Sequence, residues 1–342
     1  MNRPPARDCG LLGTSAPFVA EMDKLPSVGG CDVTVLISGE TGTGKELIAR
    51  AIHYMSARSA WPFVPVDCGA IPAELAESEL FGHERGAFTG ALTRTAGLVE
   101  SARQGTLFLD EVEVLPLSVQ AKLLRFLQQR EYRALGSSEV RRADVRVISA
   151  TNYDLQKLIR TGAFREDLYY RLKVVELRMP ALRDRPGDIE LLANHFVAKY
   201  TALFNRPTLD LSAAAVARLV SHSWPGNVRE LEHVLEAAIA LCPGPHIEVE
   251  DLGLESAAPS RTMSFREAKA CAVEAFERKF IQQILQAHDG NIAEASRAAK
   301  KNRRAFWELM RKHGISSGAP AAHRSTEPVG VGAAALRRTR LG

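Results

Sequence analysis

The sequence predicts an α/β domain built on a parallel sheet, followed by a helical subdomain and a C-terminal all-α unit. Three observations carry this prediction. Short apolar, β-branched runs alternate with longer stretches of helical periodicity over residues 11–184, the pattern of strands joined by crossover helices. The strand-like runs then stop, and residues 185–251 keep only helical periodicity. A glycine-rich stretch, GETGTGK (39–45), separates the first strand-like run from the first helix.

The strand candidates are VTVLISG (33–39), FVPVDC (63–68), TLFLDE (106–111), VRVISAT (145–151) and VVELRM (174–179). Each has the length and apolar content of a strand buried on both faces. KELIARAIHYMS, PAELAESELFG and SVQAKLLRFLQQ are the helices between them. ELLANHFVAKYTALF, SAAAVARLVSH and VRELEHVLEAAIAL build the helical subdomain. A linker is expected at 252–263, a helical unit at 264–315, a short tail at 1–10 and a disordered, low-complexity tail at 316–342.

Bulk composition excludes more than it identifies. The 342 residues suffice for two or three domains, and 46% hydrophobic content is ordinary for a globular protein. No run of eighteen apolar residues occurs, so no membrane partner is expected. MNRPPARDCG lacks the apolar core of a signal peptide. Cys9, Cys31, Cys68, Cys242 and Cys271 are scattered without a CxxC pair, which reads as free thiols in the cytoplasm. A net charge of +4 identifies no partner, but Lys300, Lys301, Arg303, Arg304, Arg311 and Lys312 crowd one C-terminal stretch.

GETGTGK points to a nucleotide. Gly39, Glu40, Thr41, Gly42, Thr43 and Gly44 can turn backbone N–H groups around phosphate oxygens, and Lys45 adds a point charge at a helix start. The implied ligands are ATP and Mg²⁺. Glu46 stands where a Ser or Thr usually offers its hydroxyl to the metal, so the cation must lean on water and another carboxylate. Asp110 at the end of TLFLDE is that carboxylate, and Glu111 can deprotonate the attacking water. Thr151 and Asn152 end a third strand and can sense the γ-phosphate or cap the strand.

The phosphate loop, GAFTGA (86–91), FREDLYYRL (164–172) and WPGNVREL (224–231) occur in this order. With them the chain resembles the bacterial enhancer-binding proteins, the AAA+ activators of sigma-54 RNA polymerase, over roughly residues 11–315. The resemblance implies an AAA+ P-loop NTPase with a helical lid, and an ATPase coupled to remodelling of sigma-54 RNA polymerase. It implies that Gly86, Ala87, Phe88, Thr89, Gly90 and Ala91 form the sigma-54 contact, with Phe88 and Thr89 at the tip. Glycines on both sides give the loop hinge freedom, and an exposed ring offers contact area at low entropy cost. It also implies that Arg165 and Arg171 act on a neighbouring subunit's nucleotide, that Arg229 reaches the nucleotide of its own subunit, and that the assembly is a hexameric ring. An ion pair within the chain, to Glu166 or Asp167, is the other reading of the two arginines.

The C-terminal unit resembles the Fis-type helix-turn-helix domains of this family. NIAEASRAAKK and NRRAFWELMRKHGI follow a break at HDGN, with Asn291 as a helix start. Arg303, Arg304, Arg311 and Lys312 are the candidate DNA contacts, while Phe306, Leu309 and Met310 are expected to pack inward. Enhancer-like DNA is the implied partner, and a nucleoid-associated location follows. Lys300–Lys301–Asn302 replaces the small residue usual at the turn.

Two departures bear on mechanism. Where relatives have Asn in FVxVNC, this chain has Asp67. The relatives' Asn is held to donate to the catalytic glutamate, which an ionised Asp cannot do. Asp67 is therefore expected to retune coupling between partner contact and hydrolysis, unless a neighbouring group tolerates it. Only about ten residues precede LLGTSAPF, so control is expected from a separate regulatory protein in place of a sensory domain, from expression level, or not at all. Two other readings stay open: a remodeller of another protein target, and an ATPase-silent DNA-binding regulator.

Overall fold

The computed structural model describes residues 10–207, 209–254, 280–281, 284–285, 288, 291–299 and 301–312. The expected tails, most of the expected linker and the start of the C-terminal unit lie outside the described residues. The chain divides into two compact units at Glu255/Ser256.

Five strands form the central sheet: β1 (Val35–Ser38), β2 (Phe63–Asp67), β3 (Thr106–Asp110), β6 (Arg146–Thr151) and β7 (Val175–Arg178). They run parallel in the order β2-β3-β6-β1-β7. Each falls within one of the apolar runs in the sequence. Alternation sends Leu107, Leu109 and Val147 to one face, where they meet Leu123, Phe126 and Leu168 from flanking helices. Phe108 and Ile148 point to the other face, against Ile48 and Ile52 of the helix Lys45–Tyr54. Helices on both faces thus bury the sheet's apolar runs. A short antiparallel pair, β4 (Glu131–Tyr132) with β5 (Arg141–Arg142), adjoins this body through the buried Tyr132.

The lid packs Asp188–Leu203, Ala213–Ser221 and Asn227–Leu241 around Trp224, whose indole N–H donates to the Leu219 carbonyl at 2.8 Å. A parallel pair, β8 (Asp210–Leu211) with β9 (His246–Ile247), accompanies the helices. Two-residue strands carry no readable period, so the sequence shows only helices here. A buried pair joins the lid to the N-terminal segment: Asp188 accepts from Arg185 Nε at 2.8 Å, Ser15 Oγ at 2.7 Å and the Thr14 N–H at 2.6 Å.

In the second unit, helices Ile292–Ala298 and Arg303–Lys312 close a small core of Ile281, Leu285, Ala295, Phe306 and Met310. Asn291 caps the first, accepting from Ala293 and Glu294 N–H groups. Asn302 caps the second, accepting from the Ala305 N–H at 2.7 Å. A side-chain cap from Asn302, which closes the stretch that replaces the small residue, thus starts the second helix.

Candidate active site

The parallel register brings the site together at the carboxyl ends of the strands. Asp67 pairs with Asp110 across β2 and β3, and Ser38 with Thr151 across β1 and β6. Directly after Ser38 the chain enters the phosphate loop. Gly42 sits at φ +78°, and a Cβ there would lie 2.2 Å from the Gly226 carbonyl oxygen. Glycine is therefore required for the lid to rest on the loop. Lys45 is buried, and its ammonium donates to the carbonyls of Gly39 at 2.9 Å and Glu40 at 3.2 Å. Burial pushes its pKa down, with Asp110, Glu113 and Glu111 opposing. Thr43 closes the loop by donating to the Glu40 carbonyl at 2.7 Å. Glu46 is partly exposed and pairs with Arg50 at 2.7 Å.

Burial holds the Asp110 carboxyl above its ordinary value, against Lys45 and the Glu111 N–H, and Asp67 adds to the rise. Glu111 follows at φ +54°, a left-handed turn that swings its carboxylate away from the strand. A Cβ on Gly69 would lie 2.5 Å from Glu111 Oε2. The acid therefore lies directly against a residue with no side chain. The amide reaching Glu111 comes from Asn152, whose Nδ2 lies 3.3 Å from Glu111 Oε1 and 3.1 Å from Thr41 Oγ1. Asp67 instead turns its Oδ1 back to accept from the Gly69 and Ala70 N–H groups at 3.0 and 3.3 Å. Thr151 is buried, and its hydroxyl is engaged with the Tyr153 backbone. Glu113, which the sequence did not single out, is buried with Oε2 lacking a partner. Its only sequence signal is its place in the acidic DEVE.

A clamp ties loop to lid. Glu40 accepts from Arg183 Nη1 at 2.9 Å and from Asn227 Nδ2 at 3.1 Å. Asn227 also donates to the Thr41 carbonyl at 3.0 Å and accepts from the Leu182 N–H at 2.8 Å. Neither Arg183 nor Asn227 was a sequence candidate, although Asn227 lies inside WPGNVREL. The Val228 N–H adds a bond to the Gly42 carbonyl at 3.0 Å. Beside it Arg229 lines the cleft. The cleft encloses about 360 Å³ and is lined by Thr41–Leu47, Asp67, Asp110 and Glu111 together with the apolar side chains of Leu11, Leu12, Phe18, Leu192 and Val228. The loop N–H groups suit an anion, and the apolar side chains suit a flat ring.

Arg165 and Arg171 do not line this cleft. Arg165 pairs with Asp167 at 2.7 Å, and Arg171 donates to the Leu127 carbonyl at 3.0 Å. The Gly86–Ala91 loop is closed by the Gly86 N–H to the Ala91 carbonyl, 2.8 Å, and the Ala91 N–H to the Phe88 carbonyl, 3.0 Å. Gly86 and Gly90 both have positive φ, with nothing within 4 Å of where a Cβ would stand. Phe88 is 38% exposed and leans edge-on against His83 at 5.0 Å. In the second unit Arg303, Arg304, Arg311 and Lys312 are all exposed. Trp307, which the sequence reading passed over, is 51% exposed, with the Arg311 guanidinium 5.8 Å from its ring centre.

The family profile described as "Sigma-54 interaction domain" matches residues 11–178, and "AAA+ ATPase lid domain" matches 183–269. The regulatory protein AtoC of Escherichia coli is 44% identical over 318 residues, covering 90% of this chain and 68% of its own. The sigma54-dependent transcriptional activator SfnR of Pseudomonas putida is 48% identical over 275 residues, 80% of this chain and 75% of its own. Among solved structures, NtrX from Brucella abortus in complex with ATP superposes with a TM-score of 0.67 at 33% identity, covering 89% of this chain and 69% of that one.

Proposed function

We propose, from the premise that this chain belongs to the family of sigma-54-dependent transcriptional activators, that ATP turnover in the cleft drives the Gly86–Ala91 loop against sigma-54. The ATPase is a property of the AAA+ family; the proposal concerns how these residues divide the work. The observation that carries it is the loop itself. Phe88 is 38% exposed on a turn closed by backbone hydrogen bonds, between two glycines with open space around them.

The loop N–H groups and Lys45 hold the β- and γ-phosphates. Glu111 orients and deprotonates the attacking water. Asn152 fixes that carboxylate and, through Thr41, links it to the phosphate loop. Asp110, a carboxylate oxygen donor lining the cleft beside the phosphate loop, suits a hard divalent cation. Mg²⁺ held there would neutralise phosphate charge. Arg229 answers the nucleotide of its own subunit, and Arg165 and Arg171 that of a neighbour in a ring, for which a hexamer is the family expectation. The Glu40–Asn227–Arg183 clamp carries changes at the loop into the lid. The C-terminal helices hold the protein on DNA through Arg303, Arg304, Arg311 and Lys312.

Open-complex formation with sigma-54 RNA polymerase on a premelted promoter tests the motor and the loop together. Wild type is expected to open the promoter, and Lys45→Ala to fail in both hydrolysis and opening. Phe88→Ala is expected to hydrolyse ATP without opening. Opening by Phe88→Ala at the wild-type level would overturn the reading.

A further inference from the structure

One carboxylate stands in the cleft without an assigned role. Glu232 lies on the lid helix Asn227–Leu241 and lines the cleft beside Val228 and Arg229. An acid in a site built for a polyanion needs a reason. Its Oε1 accepts from Lys199 Nζ at 2.7 Å and Tyr200 Oη at 3.0 Å. Its Oε2 accepts no hydrogen bond among the described residues. Burial raises its pKa, but Lys199 and Tyr200 outweigh burial, so the carboxyl is held below its ordinary value and stays ionised. An ionised carboxylate only accepts. The Glu232 side chain is partly exposed, so water can reach Oε2, and a ligand group that replaces that water there must be a donor.

We propose that Glu232 is a specificity-determining residue that accepts from the ribose 2′- and 3′-hydroxyls of the nucleotide; this rests on the cleft being the ATP site. The helix starts against the phosphate loop, where the Val228 N–H donates to Gly42. Glu232 is four residues on, a rise of about 6 Å at 1.5 Å per residue. Along a nucleotide, one such step away from the phosphates reaches the sugar, while the base lies farther off. Leu11, Leu12, Phe18 and Leu192 supply the apolar slot for that base. Acceptance from ribose hydroxyls by an acid is the same chemistry that dinucleotide-binding folds use. Lys199 and Tyr200 hold the carboxylate in place, so little side-chain freedom is lost on binding.

The test measures dissociation constants of the full chain for ATP, 2′-deoxy-ATP, 3′-deoxy-ATP and GTP. Wild type is expected to prefer ATP over the deoxy forms by about tenfold or more, the usual weight of a hydrogen bond to a charged group. Glu232→Ala is expected to bring that ratio close to one and leave the ATP-to-GTP ratio unchanged, since GTP carries the same sugar. Lys199→Met keeps the carboxylate and its Tyr200 anchor and should weaken the ribose preference without abolishing it. Three outcomes overturn the proposal: an unchanged ribose preference in Glu232→Ala, a change confined to the GTP ratio, or equal loss in Lys199→Met. Failure of wild type to bind ATP would instead remove the premise, and the proposal with it.

Discussion

Asn152 bridges Glu111 and Thr41 with a single amide nitrogen, 3.3 Å from the carboxylate and 3.1 Å from the hydroxyl. The proposed base and the phosphate loop therefore share one donor, so a shift in either moves the other. Asn152→Ala is expected to lower kcat by about tenfold or more, the lower end of what a misplaced general base loses. ATP affinity should change little, because Lys45 and the loop backbone hold the phosphates. Steady-state kinetics separate the two. A rise in KM with unchanged kcat would assign Asn152 to binding instead.

Position 67 gives the companion prediction. Asp67 spends Oδ1 on the Gly69 and Ala70 N–H groups. In Asp67→Asn the amide oxygen can keep that cap, and its NH₂ becomes a donor beside Glu111. Stability is expected to hold within about 0.5 kcal/mol, whereas Asp67→Ala, which loses the cap, should cost about 0.5–2 kcal/mol. The ATPase response to sigma-54 should differ between wild type and Asp67→Asn. Identical responses would show that position 67 does not set the coupling.

The two acids also mark where sequence reading stops. Strand ends, phosphate loop and helical lid were all legible, because apolar runs of strand length and helical periodicity survive in one dimension. The identity of the strand-end acids was legible too. What Glu111 touches was not: its left-handed backbone, the bare surface of Gly69 and the reach of Asn152 arise from the register of three strands. Asn227 was hidden for a related reason. Its contacts with Glu40 and Thr41 span almost two hundred residues of chain, and no local spacing encodes them. Trp307 was passed over because charge, rather than exposure, drew attention to its helix.

Arg185 and Asp188 form a pair exposed by only 2% and 0%. Asp188→Ala would leave the guanidinium buried and uncompensated, a loss expected to cost about 3–5 kcal/mol. Burial pushes the Asp188 carboxyl up, but bonds from Thr14, Ser15 and Arg185 outweigh it and hold it below its ordinary 3.8. The sign follows from a folded value lower than the unfolded one. The stabilisation is fully present above pH 3.8 and is lost as pH falls through the lower folded value. Thermal melts of wild type and Asp188→Ala should therefore differ most at neutral pH and converge in strong acid.

Arg165 is held by Asp167 within its own protomer, at an exposed site where water competes for both charges. Such a pair can open when a neighbour offers a nucleotide. Arg165→Ala and Lys45→Ala proteins should each be inactive as ATPases alone. Mixed, they should regain activity, because some interfaces pair an intact phosphate loop with an intact arginine. No recovery on mixing would place Arg165 in its own subunit's chemistry or in folding.

Trp307 gives a test of the C-terminal unit that charge alone would not. Phe306 and Met310 are buried in the core, so the opposite face of the helix carries Arg304, Trp307 and Arg311 outward. A large ring kept half-exposed with the Arg311 guanidinium near it suits the proposed DNA contact, since arginine side chains and an aromatic face serve phosphate and base or sugar together. Trp307 lies outside the core formed among the described residues, so Trp307→Ala should leave helicity and melting close to wild type. DNA affinity should fall with the salt slope preserved, because no phosphate charge is lost. Arg304→Ala should instead reduce the log–log salt slope by about one. If Trp307→Ala lowers the slope as Arg304→Ala does, the ring acts only by holding Arg311 over it, and the surface is purely electrostatic.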